Sequence, residues 1–147
     1  MKLIQIAADG SFNSHGLTLC SEVEEVSKAN REFYSRIGYH FPWIGYFAVI
    51  DDQVVGTCGF KGKAENGKIE LAYYTFKQFE GNGYAKLMLN ELIRIKKEAD
   101  QTDQILLIAQ TESRVNASNH ILKQQHFVYS GDAFDEDAGI VWEWHYK

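Results

Sequence analysis

The segment Glu80-Gly81-Asn82-Gly83-Tyr84-Ala85 lies between a strand-like run, Ile69 to Phe76, and a long amphipathic run that continues to Lys97. A glycine-bearing turn between a strand and a helix aims several backbone N–H groups at one point, at the positive end of the helix dipole. That makes a seat for a phosphate or pyrophosphate. Taken alone, the glycines fit an ordinary tight turn equally well. Upstream, Glu70 stands inside the largely apolar run KIELAYY, an unusual place for an acid, where desolvation would make a carboxylate a stronger base. Strand parity puts Glu70 on one face with Ala72, Tyr74 and Phe76, opposite Ile69, Leu71, Tyr73 and Thr75. The competing reading is a solvent-exposed acid paired with a lysine. A base beside a phosphate-bearing ligand is the chemistry these residues offer.

Composition narrows the classes. A chain of 147 residues is expected to form a single domain over residues 1–147, large enough to bury a core. Apolar residues at 45% and aromatics at 14% exclude a disordered chain. A formal charge of −5 argues against a nucleic-acid surface, which needs clustered Lys and Arg. Cys20 and Cys58 have no metal-ligand spacing and read as small buried apolar groups in a reducing compartment. The start MKLIQIAADG is too short and polar for a signal peptide, and no apolar run approaches membrane length. The expectation is a cytoplasmic protein.

The elements that must position these groups follow from periodicity. Leu3 to Ala7 reads as a first strand. Ser21 and Glu24 suggest a capping box before a helix from Glu22 to Ile37, with Val23, Val26, Phe33 and Ile37 on one face. Tyr46 to Ile50 and Val54 to Lys61 read as a hairpin about Asp51-Asp52, and Asn66-Gly67 marks a second turn. After the strand bearing Glu70, Ala85, Leu89, Leu92 and Lys96 line one face of a helix. Ile105 to Ala109 is an apolar run suited to a central strand, and Ala117 to Gln125 is a shorter helix. Phe127 to Ser130 and Ile140 to Tyr146 read as a closing hairpin around a solvated acidic loop, GDAFDEDAG. The class is α/β (α+β), with one sheet and helices on both faces; strand order does not follow from sequence.

Three segments together match a family pattern: GFKGKAENGKIELAYYTFKQFEGNGYA, TESRVNASNHILKQQHF and the ending DEDAGIVWEW. On them the chain resembles the GNAT superfamily of N-acetyltransferases, from about Trp43 to Lys147. Within it, the chain is most like the branch that acetylates the N-terminal alanine of ribosomal proteins. The resemblance implies a single mixed, mostly antiparallel sheet flanked by helices, with acetyl-CoA as cosubstrate, no metal, and direct acetyl transfer to a primary amine. It implies pyrophosphate binding by Glu80, Gly81, Asn82, Gly83, Tyr84, Ala85 and Lys86. It also implies pantetheine binding by the backbone of Tyr73, Tyr74 and Thr75 and by Asn116, and a general-base role for Glu70. Partners implied are an amine acceptor, either a small molecule or a peptide N-terminus, and a second copy in a homodimer, with no nucleic acid and no membrane.

The chain departs from the pattern in three places. Glu80 stands where the family loop usually begins with Gln or Arg, and an acid there repels a diphosphate. Leu122 occupies the position where many members carry a proton-donating tyrosine. Ser118 is the nearest substitute donor, although helix capping explains Ser118 and Asn116 equally well. His126 replaces a glycine that ends the helix in a left-handed conformation, which His tolerates at small cost. His15, His40, His120 and His145 lack metal-ligand spacing. Tyr39, Phe41 and Trp43 are expected either to line the acceptor pocket or to pack in the core. The alternative to an enzyme is a non-catalytic acyl-CoA-binding domain. A nucleotide-binding module would need a Walker lysine or a dinucleotide glycine fingerprint, and neither is present.

Overall fold

Two turns with left-handed backbones set the register of the sheet. In the computed structural model, which describes residues 1–147, Asp51 and Asp52 take φ of 47° and 61°. They join β2 (Gly45–Ile50) to β3 (Gln53–Phe60). Asn66 and Gly67, at φ 52° and 73°, lead into β4 (Lys68–Thr75). Positive φ at both central residues matches the twist of antiparallel strands, and Asn, Asp and Gly tolerate it best.

Strand β1 (Lys2–Gln5) is shorter than its apolar run suggests. It is followed by α1 (Glu22–Ile37), the helix read from the sequence. After β4 come a single 3₁₀ turn (Lys77–Phe79), α2 (Tyr84–Ala99), β5 (Leu106–Glu112), α3 (Ala117–Gln124), β6 (Phe127–Asp135) and β7 (Gly139–Tyr146). The seven strands form one sheet in the order β1-β2-β3-β4-β5-β7-β6. Every neighbouring pair is antiparallel except β4 and β5.

Helices cover both faces. Gly45 pairs with Gly59, and Gly59 with Ala72, so the three share a face; a side chain at Gly45 would run into Asn30 and Tyr34 of α1. Gly56 pairs with Thr75, and a side chain there would meet Met88 of α2. Ala72 and its even-numbered neighbours on β4 therefore face α1, while Tyr73 and Thr75 face α2. Helix α3 lies on the α2 side, because Asn119 Nδ2 donates to Thr111 Oγ1 at 3.0 Å and Thr111 is in phase with Ala109, the partner of Leu71. The main core joins both layers, with Phe47, Phe76, Leu89, Leu92, Leu122 and Trp144 buried in it.

Two local expectations need correction. Ser21 makes no side-chain capping bond. The next residue, Glu22, does the tying instead: its carboxylate accepts from Tyr74 Oη at 2.9 Å and from the Lys77 N–H at 3.2 Å. The acidic stretch after Ser130 is mostly strand, not a solvated loop. β6 runs on to Asp135 past a bulge between Tyr129 and Gly131. Asp135 then accepts from the N–H groups of Asp137 and Ala138, which folds the reversal tightly. No helix is long and apolar enough to cross a membrane.

Candidate active site

The loop before α2 is built from two left-handed glycines. Gly81 and Gly83 take φ of 82° and 77°, and a side chain at either would meet open space. Asn82 folds its amide back onto the carbonyls of Phe79 (2.9 Å) and Glu80 (3.4 Å), so it braces the loop. The N–H groups of Gly81, Asn82, Gly83, Tyr84, Ala85 and Lys86 have no acceptor within the chain. A run of unpaired donors at a helix start, opened by residues of positive φ, is a cradle for an anion. Lys86 is exposed in the first helical turn, and the exposed Glu80 sits at the loop entrance.

Beyond the loop lies a gap in the sheet. β4 and β5 pair only from Lys68↔Leu106 to Leu71↔Ala109. Yet β4 continues to Thr75 and β5 to Glu112. The strands part at Ala72, so Tyr73 and Thr75 present backbone on the β5 side that no strand satisfies, whereas the Tyr74 backbone, expected from the resemblance to join them, turns to Thr57 of β3. An extended amide-bearing chain can add there as a strand would. On the far side of the gap, Thr111 Oγ1 accepts from Asn119 Nδ2 and from Trp144 Nε1, each at 3.0 Å. This holds the start of α3 and strand β7 against β5 where the sheet opens.

The start of α3 settles the capping question for its own residues. Asn116 is the cap: its Oδ1 accepts from the Asn119 N–H at 3.1 Å, and Asn119 Oδ1 accepts from the Asn116 N–H at 3.1 Å. Asn116 is thus occupied structurally, and Ser118 is not a cap. The Ser118 hydroxyl instead neighbours the phenol of Tyr73. Burial pushes that phenol up to about 12, outweighing the opposite pull of Ser118. Leu122, one turn beyond Ser118, is fully buried in the core. His126 takes φ 70°, the left-handed ending expected of it.

Glu70 lies on the other face of β4. Its carboxylate is ion-paired to Lys61 Nζ at 2.8 Å, with side-chain exposures of 19% for Glu70 and 48% for Lys61. Along the same face runs a polar row that the sequence reading did not single out. Lys68 pairs with Glu143 at 3.4 Å, Glu143 Oε2 lies 2.8 Å from His145 Nε2, and His145 Nδ1 lies 2.9 Å from the Ser130 hydroxyl. Burial pushes the Glu143 carboxyl up, but His145 and Lys68 outweigh it and hold it below the usual range. The alternation of Glu143 and His145 with the tryptophans in WEWHY was the available signal: a polar face opposite a core face.

A cavity of about 410 Å³ opens beside Lys61, the ion-pair partner of Glu70, lined by Lys61, Gln110, Glu112, Arg114, Asp135 and Ile140 among others but not by Glu70 itself. The aromatic loop after α1 does not line it. Trp43 packs edge-on against Phe60 and Tyr39 against Tyr34, while Phe41 is exposed. No group of three or more His, Cys, Asp or Glu gathers in a way that could hold a metal ion.

An anion cradle at a helix start, a parted pair of parallel strands and an acid on the opposite face define a class of acyl-CoA-dependent transferase. The family model for the acetyltransferase (GNAT) domain matches residues 3–128, and the chain belongs to that family. Membership carries the reaction: an acetyl group passes from acetyl-CoA to an amine. Among solved structures, the chain is similar to the RimL ribosomal-protein alpha-N-acetyltransferase in complex with coenzyme A, at 21% identity and TM-score 0.62 over 84% of this chain and 71% of that one. It is similar to a ribosomal-protein-alanine N-acetyltransferase from Brucella melitensis, at 22% identity and TM-score 0.60 over 84% and 76%. It is also similar to a GNAT acetyltransferase from Streptococcus pneumoniae, at 21% identity and TM-score 0.57 over 88% and 76%. At these identities the likeness is one of fold. No curated protein matches the chain at a significant level.

The residues fit acetyl-CoA on the structure's own terms. The unpaired N–H groups from Gly81 to Lys86 would hold its pyrophosphate, and the free backbone of Tyr73 and Thr75 would hold its pantetheine amides. When bound, acetyl-CoA supplies an activated acetyl group.

Proposed function

We propose that Glu70 is the general base for the acceptor amine and that the acceptor is the α-amine of a peptide or protein N-terminus. The observation that carries this reading is the cavity of about 410 Å³ lined in part by Lys61, the ion-pair partner of Glu70. It is lined by charges of both signs, Lys61 and Arg114 against Glu112 and Asp135, which suits a polar chain end better than an apolar small molecule. The names of the RimL and Brucella enzymes, which act on ribosomal proteins, point the same way.

The chemistry follows from protonation. An ammonium group cannot attack a thioester, so Glu70 takes its proton directly or through a water. Lys61 is half exposed, and an ion pair of that kind contributes at most about 1 kcal/mol. An incoming ammonium can therefore replace Lys61 on the carboxylate at little cost. Two free cysteines and a coenzyme A substrate suit a cytoplasmic enzyme. A homodimer has two free sheet edges to use, β1 and β6.

Mass spectrometry of the protein with acetyl-CoA and a panel of amines tests the reading. The panel should include short peptides with different N-termini, a polyamine and an aminoglycoside. Acetylation of peptide α-amines is expected. Acetylation of the small amines alone would refute the acceptor assignment. Tight acetyl-CoA binding with no product from any amine would support a binding domain instead.

A further inference from the structure

Tyr73 Oη is the one buried side-chain polar atom in the chain with no partner at hydrogen-bonding geometry, although the Ser118 hydroxyl stands close enough to pull its pKa down. Proteins rarely leave such a group unpaired, and those that remain tend to await a ligand or serve chemistry. Its position is informative. Tyr73 lies just past the last β4–β5 pair, Leu71↔Ala109, where the sheet opens. It shares the α2 and α3 face with the anion cradle, and Ser118 of α3 adjoins it. Two more donors lie at the same helix start, the N–H groups of Ala117 and Ser118, neither of which has an acceptor in the chain. They are at the positive end of the α3 dipole.

Glu70 and Tyr73 come from one strand but point to opposite faces. A thioester that reaches the gap from the cradle side therefore meets the amine on the Glu70 side and keeps its sulfur on the Tyr73 side. We infer that Tyr73, with Ser118 beside it, is the hydrogen-bond donor to the departing sulfur, and so replaces the hydroxyl that Leu122 cannot supply. This rests on the acetyl-transfer reading above.

The electron count closes without a proton leaving Tyr73. The amine nitrogen bonds to the carbonyl carbon, the C–S bond breaks, and its electron pair goes to sulfur. The ammonium's first proton goes to Glu70 and on to solvent before attack, the second leaves nitrogen to Glu70 as the amide forms, and solvent protonates the thiolate after it leaves. A thiol titrates near 8.5, whereas burial holds the Tyr73 phenol at about 12. Full transfer from phenol to thiolate is therefore uphill, and Tyr73 acts by donating a hydrogen bond to charge as it develops.

The thiol of bound coenzyme A reports this directly, with no need for an acceptor. Its titration is followed by the ultraviolet absorbance of the thiolate in the parent, in Tyr73→Phe and in Ser118→Ala. In Tyr73→Phe the bound thiol should titrate about 1–2 pH units higher than in the parent, the worth of a hydrogen bond to a charged group. Ser118→Ala should shift it in the same direction by less. Acetyl-CoA affinity by calorimetry should be unchanged in Tyr73→Phe. Its ligand-free melting temperature should hold or rise, because an unpaired buried hydroxyl is removed. With any amine the parent acetylates, kcat should fall about 10²-fold at constant KM. An unchanged thiol titration overturns the donor role. A lowered ligand-free melting temperature overturns it as well, because the hydroxyl would then have a partner in the free protein. A parent that binds no acetyl-CoA overturns the acetyl-transfer reading first, and this inference with it.

Discussion

Glu70→Gln separates catalysis from structure because the two roles predict effects of different size. As a base, Glu70 contributes about 10²–10⁴ in kcat, which is about 2.7–5.4 kcal/mol of barrier. As a structural residue it contributes only the pair with Lys61, at 2.8 Å with 48% of the lysine side chain exposed. Discounted for solvent screening, that is about 0–1 kcal/mol, or no more than about 4 °C in melting temperature for a domain of this size. The variant keeps the shape of the side chain and should keep acetyl-CoA affinity. The assay measures release of coenzyme A thiol against the best amine of the panel, beside a thermal melt of the same preparation. A loss of at least about 10²-fold in kcat, with a melting temperature within about 4 °C of the parent, is expected. The loss should shrink as pH rises, because free amine then becomes abundant without help. An unchanged kcat would refute the assignment. So would a loss that tracks a fall in stability or in acetyl-CoA affinity.

Glu80→Arg should tighten acetyl-CoA binding by roughly 0.5–2 kcal/mol, because a repulsive acid at the cradle entrance becomes an attractive cation; equal or weaker binding by calorimetry would remove the pyrophosphate from this loop. Asn116→Ala should lose about 1 kcal/mol of stability with acetyl-CoA affinity retained, since its side chain caps α3; an affinity loss at constant stability would show that it contacts the ligand instead. Lys96, buried at the end of α2, pairs with Asp100 at 3.0 Å and Asp103 at 2.5 Å. Lys96→Met should cost about 3 kcal/mol, or about 6–12 °C in melting temperature; a shift under a few degrees would mean the pair contributes nothing net. The Asp100 carboxyl is pushed up by burial, but the Gln104 and Ile105 N–H groups and Lys96 more than offset this and hold it below the usual range. Its contribution to stability is therefore complete above the unfolded aspartate range, about pH 4, and fades as pH falls through the lower folded value. Acid melts of Lys96→Met should show a smaller loss over that window than the parent, and an equal loss would refute the link.

Much of this protein is local, and local features can be read from sequence. Helix α1 ends where its apolar spacing ends, and the Asp51-Asp52 and Asn66-Gly67 turns follow from residues that tolerate positive φ. The cradle is local too: its donors are consecutive backbone groups, and Gly81 and Gly83 alone dictate how they point. The parity of Glu70 against Tyr73 follows from the two-residue period of a strand. Where local signals competed, they misled. Ser21 has the composition of a cap, yet Glu22 reaches across to Tyr74 and Lys77 instead. The acidic run after Ser130 has the composition of a loop, yet cross-strand pairing with β7 extends it as strand.

What the chain decided by itself was therefore its elements, its turns and the anion cradle, because each rests on neighbours in sequence. The tertiary structure alone decided the strand order, the parting of β4 from β5 at Ala72, and the partners of each polar side chain. Lys61 reaches Glu70, Glu143 reaches Lys68, and Ser118 comes to rest by Tyr73, through contacts between residues far apart in the chain. Which of two pairing options a side chain takes depends on what packing brings within about 3 Å of it, and no pattern along the chain encodes that distance. The unpaired Tyr73 hydroxyl is the clearest case. In sequence it is one of two adjacent tyrosines on a strand, and only the parted sheet and the start of α3 leave it buried without a partner.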